Sequence, residues 1–184
     1  INNELINVKY RDGRKNFKLV KGAEKVFYNL DSTVGHDYVV IVEGEMDALS
    51  FVDAKIDSVV SVPNGATLNR LNLDYLDSCI EYFDDKSKII IAVDSDEAGQ
   101  NLQQELIRRF GAEVCYTISF GEHKDANEFL LQHGSSMLKR LVDKASPVPL
   151  ENVVTLKDVN EELQEFIHEG FKPGFQVGLD NFDS

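Results

Sequence analysis

The chain has 184 residues, 19 basic and 32 acidic side chains, a formal net charge of −13 and 42% hydrophobic residues. That length holds one ordinary core with appendages, and the composition excludes a mainly disordered chain. No apolar run approaches the ~20 residues that span a bilayer, the first residues lack a signal-peptide profile, and Cys79 and Cys115 stand alone, without a disulfide framework or zinc knuckle, so a cytoplasmic location without membrane contact is expected.

The charge is uneven. Residues 1–36 carry a net charge of +3, residues 37–145 a net −10 and residues 146–184 a net −6. An acidic body of this kind repels nucleic acid unless bound cations invert the local field.

In chain order, Leu5 to Tyr10 alternates apolar with polar, Asp12-Gly13 supplies a turn and Phe17 to Val20 returns, which predicts a hairpin. Its basic residues, Lys18 and Lys21 among them, make either a solvated face or a flank that meets phosphates. The chain opens without a methionine or a helix start, as expected for a piece of a longer protein.

From Tyr38 onward strands alternate with helices. Val39–Val42, Val59–Val62, Ile89–Val93 and Val114–Ile118 are continuous β-rich runs, as strands buried on both faces require. Met46, Leu49 and Val52 mark one helix, and Leu68, Leu71, Leu76 and Ile80 a second. Ala98, Leu102, Leu106 and Phe110 mark a third, ending at Gly111. The pattern predicts an α/β fold, a parallel sheet of about four strands with flanking helices and functional groups beyond the carboxyl ends of the strands.

Three acidic motifs fall at those ends: Glu43-Gly44-Glu45-Met46-Asp47, Asp94-Ser95-Asp96-Glu97-Ala98-Gly99 and Lys124-Asp125-Ala126-Asn127-Glu128. Taken singly they have plain structural readings. Asp96 caps a helix, Asp125 and Glu128 fit a capping box, and Glu45 suits a helix dipole. Glu43 ends a buried strand ahead of a glycine that permits close approach, and is harder to explain structurally. In a sheet of order 2-1-3-4, Glu43 and Asp94 share one mouth, and such a cluster needs cations or protons. Mg²⁺ suits an all-oxygen set, and the absence of neighbouring His or Cys argues against zinc. His36, His123, His133 and His168 show no ligand spacing.

Ser146-Pro147-Val148-Pro149 predicts an extended linker. Leu156, Val159, Leu163, Phe166 and Ile167 then form one apolar stripe of a helix that either packs back on the parent domain or docks on a neighbouring subunit.

These motifs resemble a TOPRIM domain, in which a glutamate ends the first strand and an Asp-x-Asp ends the third. The run from Glu43 to Ser50, with Pro63-Asn64-Gly65-Ala66-Thr67, Tyr82-Phe83-Asp84-Asp85, Ile89 to Gly99 and Lys124 to Glu128, resembles more closely the primase half of phage-type and Twinkle-like primase–helicases. The resemblance implies four parts. Residues 1–36 close the primase RNA-polymerase N-subdomain, 37–145 are the TOPRIM domain, 146–170 a linker helix that docks on a neighbouring subunit of a helicase ring, and 171–184 the start of a RecA-like motor. A zinc module and a phosphate loop, both usual in the family, are absent from the sequence and are expected outside this piece. The proline ahead of Asn64 stands where relatives often carry glycine or histidine.

The resemblance further implies template-directed synthesis of RNA primers from ribonucleoside triphosphates on single-stranded DNA, with two Mg²⁺ ions for which Mn²⁺ can substitute. Asp94 and Asp96 are the expected metal ligands, with Asp47 and Asp125 as further ones. Glu43 is general base or ligand. Lys18, Lys21 and Lys124 are expected to hold triphosphate or template. The alternatives are a TOPRIM nuclease or topoisomerase, and a non-catalytic scaffold within a helicase. The fragment is expected to be weak or inactive alone.

Overall fold

The computed structural model describes residues 4–14, 16–64, 73–150 and the helical positions 159, 160, 163, 164, 167 and 168. Two compact units divide the chain, residues 1–148 and 149–184.

The first unit opens with an antiparallel hairpin, β1 (Lys9–Arg11) and β2 (Phe17–Leu19), in register Lys9↔Leu19, Tyr10↔Lys18 and Arg11↔Phe17. It is shorter than its alternation suggests. The Asp12 carboxylate organises the turn by accepting from the Arg14 and Asn16 backbone N–H groups and the Asn16 side chain.

The main sheet contains β3 (Tyr38–Val42), β4 (Val59–Ser61), β5 (Lys88–Ala92), β6 (Cys115–Thr117) and β7 (Ser146–Pro147), in the order β4-β3-β5-β6-β7. The first four are parallel, and their order is the expected 2-1-3-4. Strand β7 pairs antiparallel with β6, so the stretch expected to be linker begins as an edge strand. Pro147 is tolerated there because an edge strand need not donate on both sides.

Alternate strand residues face opposite layers. Val39, Ile41, Ile89 and Ile91 pack under Leu102 and Leu106 of α3 (Glu97–Phe110). Val40, Val42, Ile90 and Ala92 pack against α1 (Glu45–Asp53), α4 (Ala126–His133) and α5 (Ser135–Asp143). Both faces are covered, which is why the strands read as unbroken apolar runs. Gly111, at φ +90°, ends α3 as expected, and Gly134, at φ +78°, separates α4 from α5, a break that no periodicity announces.

The second expected helix needs correction, and two further features lie beyond what the chain pattern shows. Helix α1 forms where expected and buries Ala48 and Phe51, whereas Met46, Leu49 and Val52, the residues that mark it along the chain, are exposed. Two apolar stripes compete on this short helix, and the sheet selects the one bearing the large ring of Phe51 and the small Ala48. The expected helix through Leu76 and Ile80 is a single turn, α2 (Asp74–Asp77), followed by a 3-10 turn at Ile80–Tyr82; Leu68 and Leu71 lie outside the described residues. The histidines show no relation along the chain, yet His123 and His133 bring their Nε2 atoms to 2.9 Å, with Phe129 against both rings. Sequence spacing cannot reveal such a pair, because a loop and a helix end bring it together.

In the second unit, Val159, Leu163 and Ile167 of the stripe occupy exposed helical positions. The remainder of that helix and residues 171–184 lie outside the described residues.

Candidate metal centre at the strand ends

Strands β3 and β5 are neighbours, and their last register pair is Val42↔Ala92. Glu43 therefore leaves the sheet one residue past that pair and Asp94 two residues past it, at the same end. Sheet order alone joins two residues far apart in sequence.

Helix α1 begins at Glu45 behind Gly44, which supplies no side-chain cap. A Cβ on Gly44 would lie 3.0 Å from Asp47 Oδ2, so the glycine admits this carboxylate against the first turn. Asp47 Oδ1 accepts the backbone N–H of Asn127 at 3.2 Å, while the Asn127 amide donates to Ser50 Oγ at 3.1 Å. These bonds join the first acidic motif to the third.

The turn after β5 is held as firmly. Asp96 Oδ1 accepts the N–H of Gly99 at 3.0 Å and caps α3. A Cβ on Gly99 would meet the Asp94 carbonyl oxygen at 2.1 Å; only glycine lets the helix start against that peptide. The Ser95 N–H donates to the Lys124 carbonyl at 3.1 Å, joining the second motif to the third. Asp125 caps α4 by accepting from the Glu128 N–H at 2.8 Å, and Glu128 in turn accepts from the Lys124 N–H at 3.0 Å. The capping readings of Asp96 and Asp125 are therefore correct. Capping occupies one oxygen of each carboxylate, and the other oxygen of Asp96 faces Lys124.

The acids at the mouth influence one another, although burial is the larger effect. Burial pushes the Asp47 carboxyl up to about 7, with Asp125, Asp94 and Glu43 pushing the same way. Burial also raises Asp94, with Asp125 and Asp96 adding to it, while the Lys124 ammonium opposes them. Lys124 Nζ lies 3.2 Å from Asp94 Oδ2 and 3.5 Å from Asp96 Oδ2. A tethered cation thus sits between the two carboxylates nominated as metal ligands. In this conformation no three His, Cys, Asp or Glu side chains among the described residues are close enough together to hold one ion.

A cleft of about 730 Å³ opens beside this mouth, lined by Gly44, Glu45 and Met46 on one side and by the hairpin on the other. Lys9, Arg11, Phe17 and Leu19 line it. Lys9 donates to Glu45 Oε1 at 2.6 Å, half-buried, and ties the hairpin to the first turn of α1. Lys18 pairs with Tyr10 on the opposite face of the hairpin, and Lys18 and Lys21 are exposed. Nominating Lys18 and Lys21 from the hairpin's basic residues passes over Lys9, although strand alternation distinguishes the two faces.

The Toprim-like family profile matches residues 40–130. Those residues belong to the Toprim-like family. The chain is 32% identical to the chloroplastic/mitochondrial Twinkle homolog protein of Arabidopsis thaliana over 98% of its own length and 28% of the relative's. It is 36% identical to the primase homolog protein of the same plant over 81% of its length and 49% of the relative's. The chain thus spans half or less of these curated relatives. Among solved structures, the primase fragment of the bacteriophage T7 primase-helicase superposes with a TM-score of 0.67 at 28% identity, covering 77% of this chain and 58% of that one. The crystal structure of the Aquifex aeolicus primase, at 17% identity and a TM-score of 0.62, shares the fold, over 90% of this chain and 41% of that one.

The Toprim-like assignment implies a divalent cation, and the donor set fits one. The ligating groups available at the mouth are carboxylates, the preference of a hard ion. The Lys124 ammonium already stands where positive charge is needed. Asp47, lifted to about 7 by burial and then by its acidic neighbours, would regain its charge beside a cation. Among the described residues no helix is long and apolar enough to cross a membrane.

Proposed function

We propose that this chain carries the catalytic Toprim-like domain of a replicative DNA primase within a primase–helicase, which joins ribonucleotides on a single-stranded DNA template. One observation carries the reading: the neighbouring ends of β3 and β5 set Glu43 and Asp94 at one mouth, where Asp47 bonds to Asn127 of the third acidic motif and is lifted to about 7 by burial, with Asp125, Asp94 and Glu43 adding to it. A scaffold has no need of such a cluster, and two-metal phosphoryl chemistry does. The similarity to the primase fragment of the T7 primase-helicase supports the same reading.

In this proposal Asp94 and Asp96 would hold Mg²⁺, or Mn²⁺ in its place, with Asp47 and Asp125 as further ligands for two ions in all. The ions, when bound, supply the positive charge that lowers the pKa of the attacking hydroxyl and offsets charge on the leaving group. The 3′-oxygen of one nucleotide forms a bond to the α-phosphorus of the next, the α–β anhydride bond breaks, and pyrophosphate departs. Glu43, half-buried at the base of the mouth, either takes the hydroxyl proton or joins the metal ligands. Lys124, already exposed over half its side chain, swings to the triphosphate once a divalent ion satisfies Asp94 and Asp96. Lys18 and Lys21 remain candidates for template phosphates at a distance from the mouth.

The proposed organisation follows the resemblance: residues 1–36 end the N-subdomain, 37–145 are the Toprim-like domain, 146–170 a linker helix seated on a neighbouring subunit, and 171–184 the start of a motor. The Lys124 bridge and the spread of the carboxylates favour one second reading, a scaffold that has ceased to bind metal. Calorimetry with Mn²⁺ separates the two, since a scaffold gives no binding. The primase reading is tested in the full-length protein: Asp94→Ala abolishes templated dinucleotide synthesis and leaves unwinding intact. A variant that still primes at the wild-type rate overturns it.

A further inference from the structure

The hairpin face that lines the cleft carries an exposed aromatic ring with two cations near it. Phe17 pairs across the strands with Arg11, whose guanidinium carbon lies 5.6 Å from the ring centroid. Lys9 Nζ lies 5.0 Å from the same centroid. Phe17 is nonetheless 56% exposed. A large apolar side chain on a two-stranded hairpin gains nothing for the core from that position. Its opposite-face counterpart Tyr10 is equally exposed, but it lies outside the cleft lining. Only the face bearing Phe17, Lys9 and Arg11 looks toward Gly44 and Glu45, the residues directly after Glu43.

We infer that Phe17 is a stacking platform for an unpaired base of a single strand entering the cleft, with Arg11 taking a flanking phosphate and Lys9 holding Glu45. The assignment rests on the primase reading and adds to it a residue and a mode of contact. An exposed ring with cations beside it matches the two features of a polynucleotide that do not depend on sequence, the π-face of its bases and its regularly spaced charge. Three acids line the cleft, Glu4, Asp31 and Glu45, and none of them lacks a partner. Glu45 is matched by Lys9, and the first 36 residues as a whole are net basic against a strongly acidic body. The hairpin is therefore the part of the molecule where a polyanion meets attraction before reaching the carboxylates.

The chain contains no tryptophan and six tyrosines, so Phe17→Trp introduces a single tryptophan at the platform, excited selectively beyond the tyrosine absorption band. Titration at low salt with a short oligodeoxynucleotide should quench its emission. The same strand with abasic sites, and a ribonucleoside triphosphate alone at equal nucleotide concentration, should quench far less. In a parallel binding assay with a labelled strand, Phe17→Ala should weaken the intact oligonucleotide roughly tenfold and leave the abasic one unchanged, with the thermal unfolding midpoint unmoved because the ring is exposed. Equal quenching by intact and abasic strands, or binding by Phe17→Ala within twofold of wild type, overturns the platform while the primase reading stands. Quenching by the free triphosphate as strong as by the strand reassigns the ring to the nucleotide and also overturns it. A wild-type chain that binds no oligonucleotide removes the platform and counts against the primase reading itself.

Discussion

Replacing Asp47 by asparagine removes a charge that the metal-free fold accommodates poorly. Asparagine is isosteric with aspartate, and its amide oxygen would still accept the Asn127 N–H that Asp47 Oδ1 accepts now. What disappears is the titration. Burial and three neighbouring carboxylates lift Asp47 from 3.8 to about 7, a shift of roughly three units at ~1.4 kcal/mol each, or about 4 kcal/mol. The sign follows from proton counting. Between those two values the unfolded chain has released its proton and the folded chain retains it, so wild-type stability falls as pH rises from about 4 through 7 and levels off above. Asp47→Asn lacks that decline. In urea unfolding with chelator present, the variant should exceed wild type by about 1 kcal/mol near pH 4.5 and by up to about 4 kcal/mol above pH 7.5. Millimolar Mg²⁺ should narrow the gap, because an ion bound to the folded state compensates the same repulsion. A difference between the two proteins that stays constant across this range would show that the carboxylates do not converge on Asp47.

Gly99→Ala should destabilise the fold by about 2 kcal/mol or more and abolish priming in the full-length protein, because the new methyl group would lie 2.1 Å from the Asp94 carbonyl oxygen and the Asp94 turn would have to move; chemical denaturation and dinucleotide assays measure both effects. Lys124→Gln removes the cation that opposes burial at Asp94, so the titration midpoint of the Asp94 carboxyl, followed by ¹³C NMR without metal, should move upward. An unchanged midpoint would mean the ion pair does not form in solution. Leu102→Ala, fully buried where α3 meets the sheet, should cost about 2–5 kcal/mol in unfolding experiments and leave the affinity for Mn²⁺ of the folded protein unchanged.

Local chemistry is readable along the chain. Branched apolar runs mark Tyr38–Val42, Val59–Ser61, Lys88–Ala92 and Cys115–Thr117 because strands covered on both faces need no polar alternation. Asp96, Asp125 and Gly111 mark helix ends because capping involves only three or four residues. The acidic motifs stand out as candidates for a similar reason: each follows closely on a predicted strand. Contacts between distant segments are not readable. Which stripe of α1 faces the sheet, which face of the hairpin looks into the cleft, and the placement of the Lys124 ammonium between Asp94 and Asp96 all depend on packing that local patterns do not encode. The raised pKa of Asp47 belongs to the same class. Its neighbours come from three separate strand ends, and one of its hydrogen bonds spans 80 residues. Propensity acts over a few residues, whereas charge and burial act through space. The chain therefore announces its carboxylates, and only the folded sheet determines how strongly they interact.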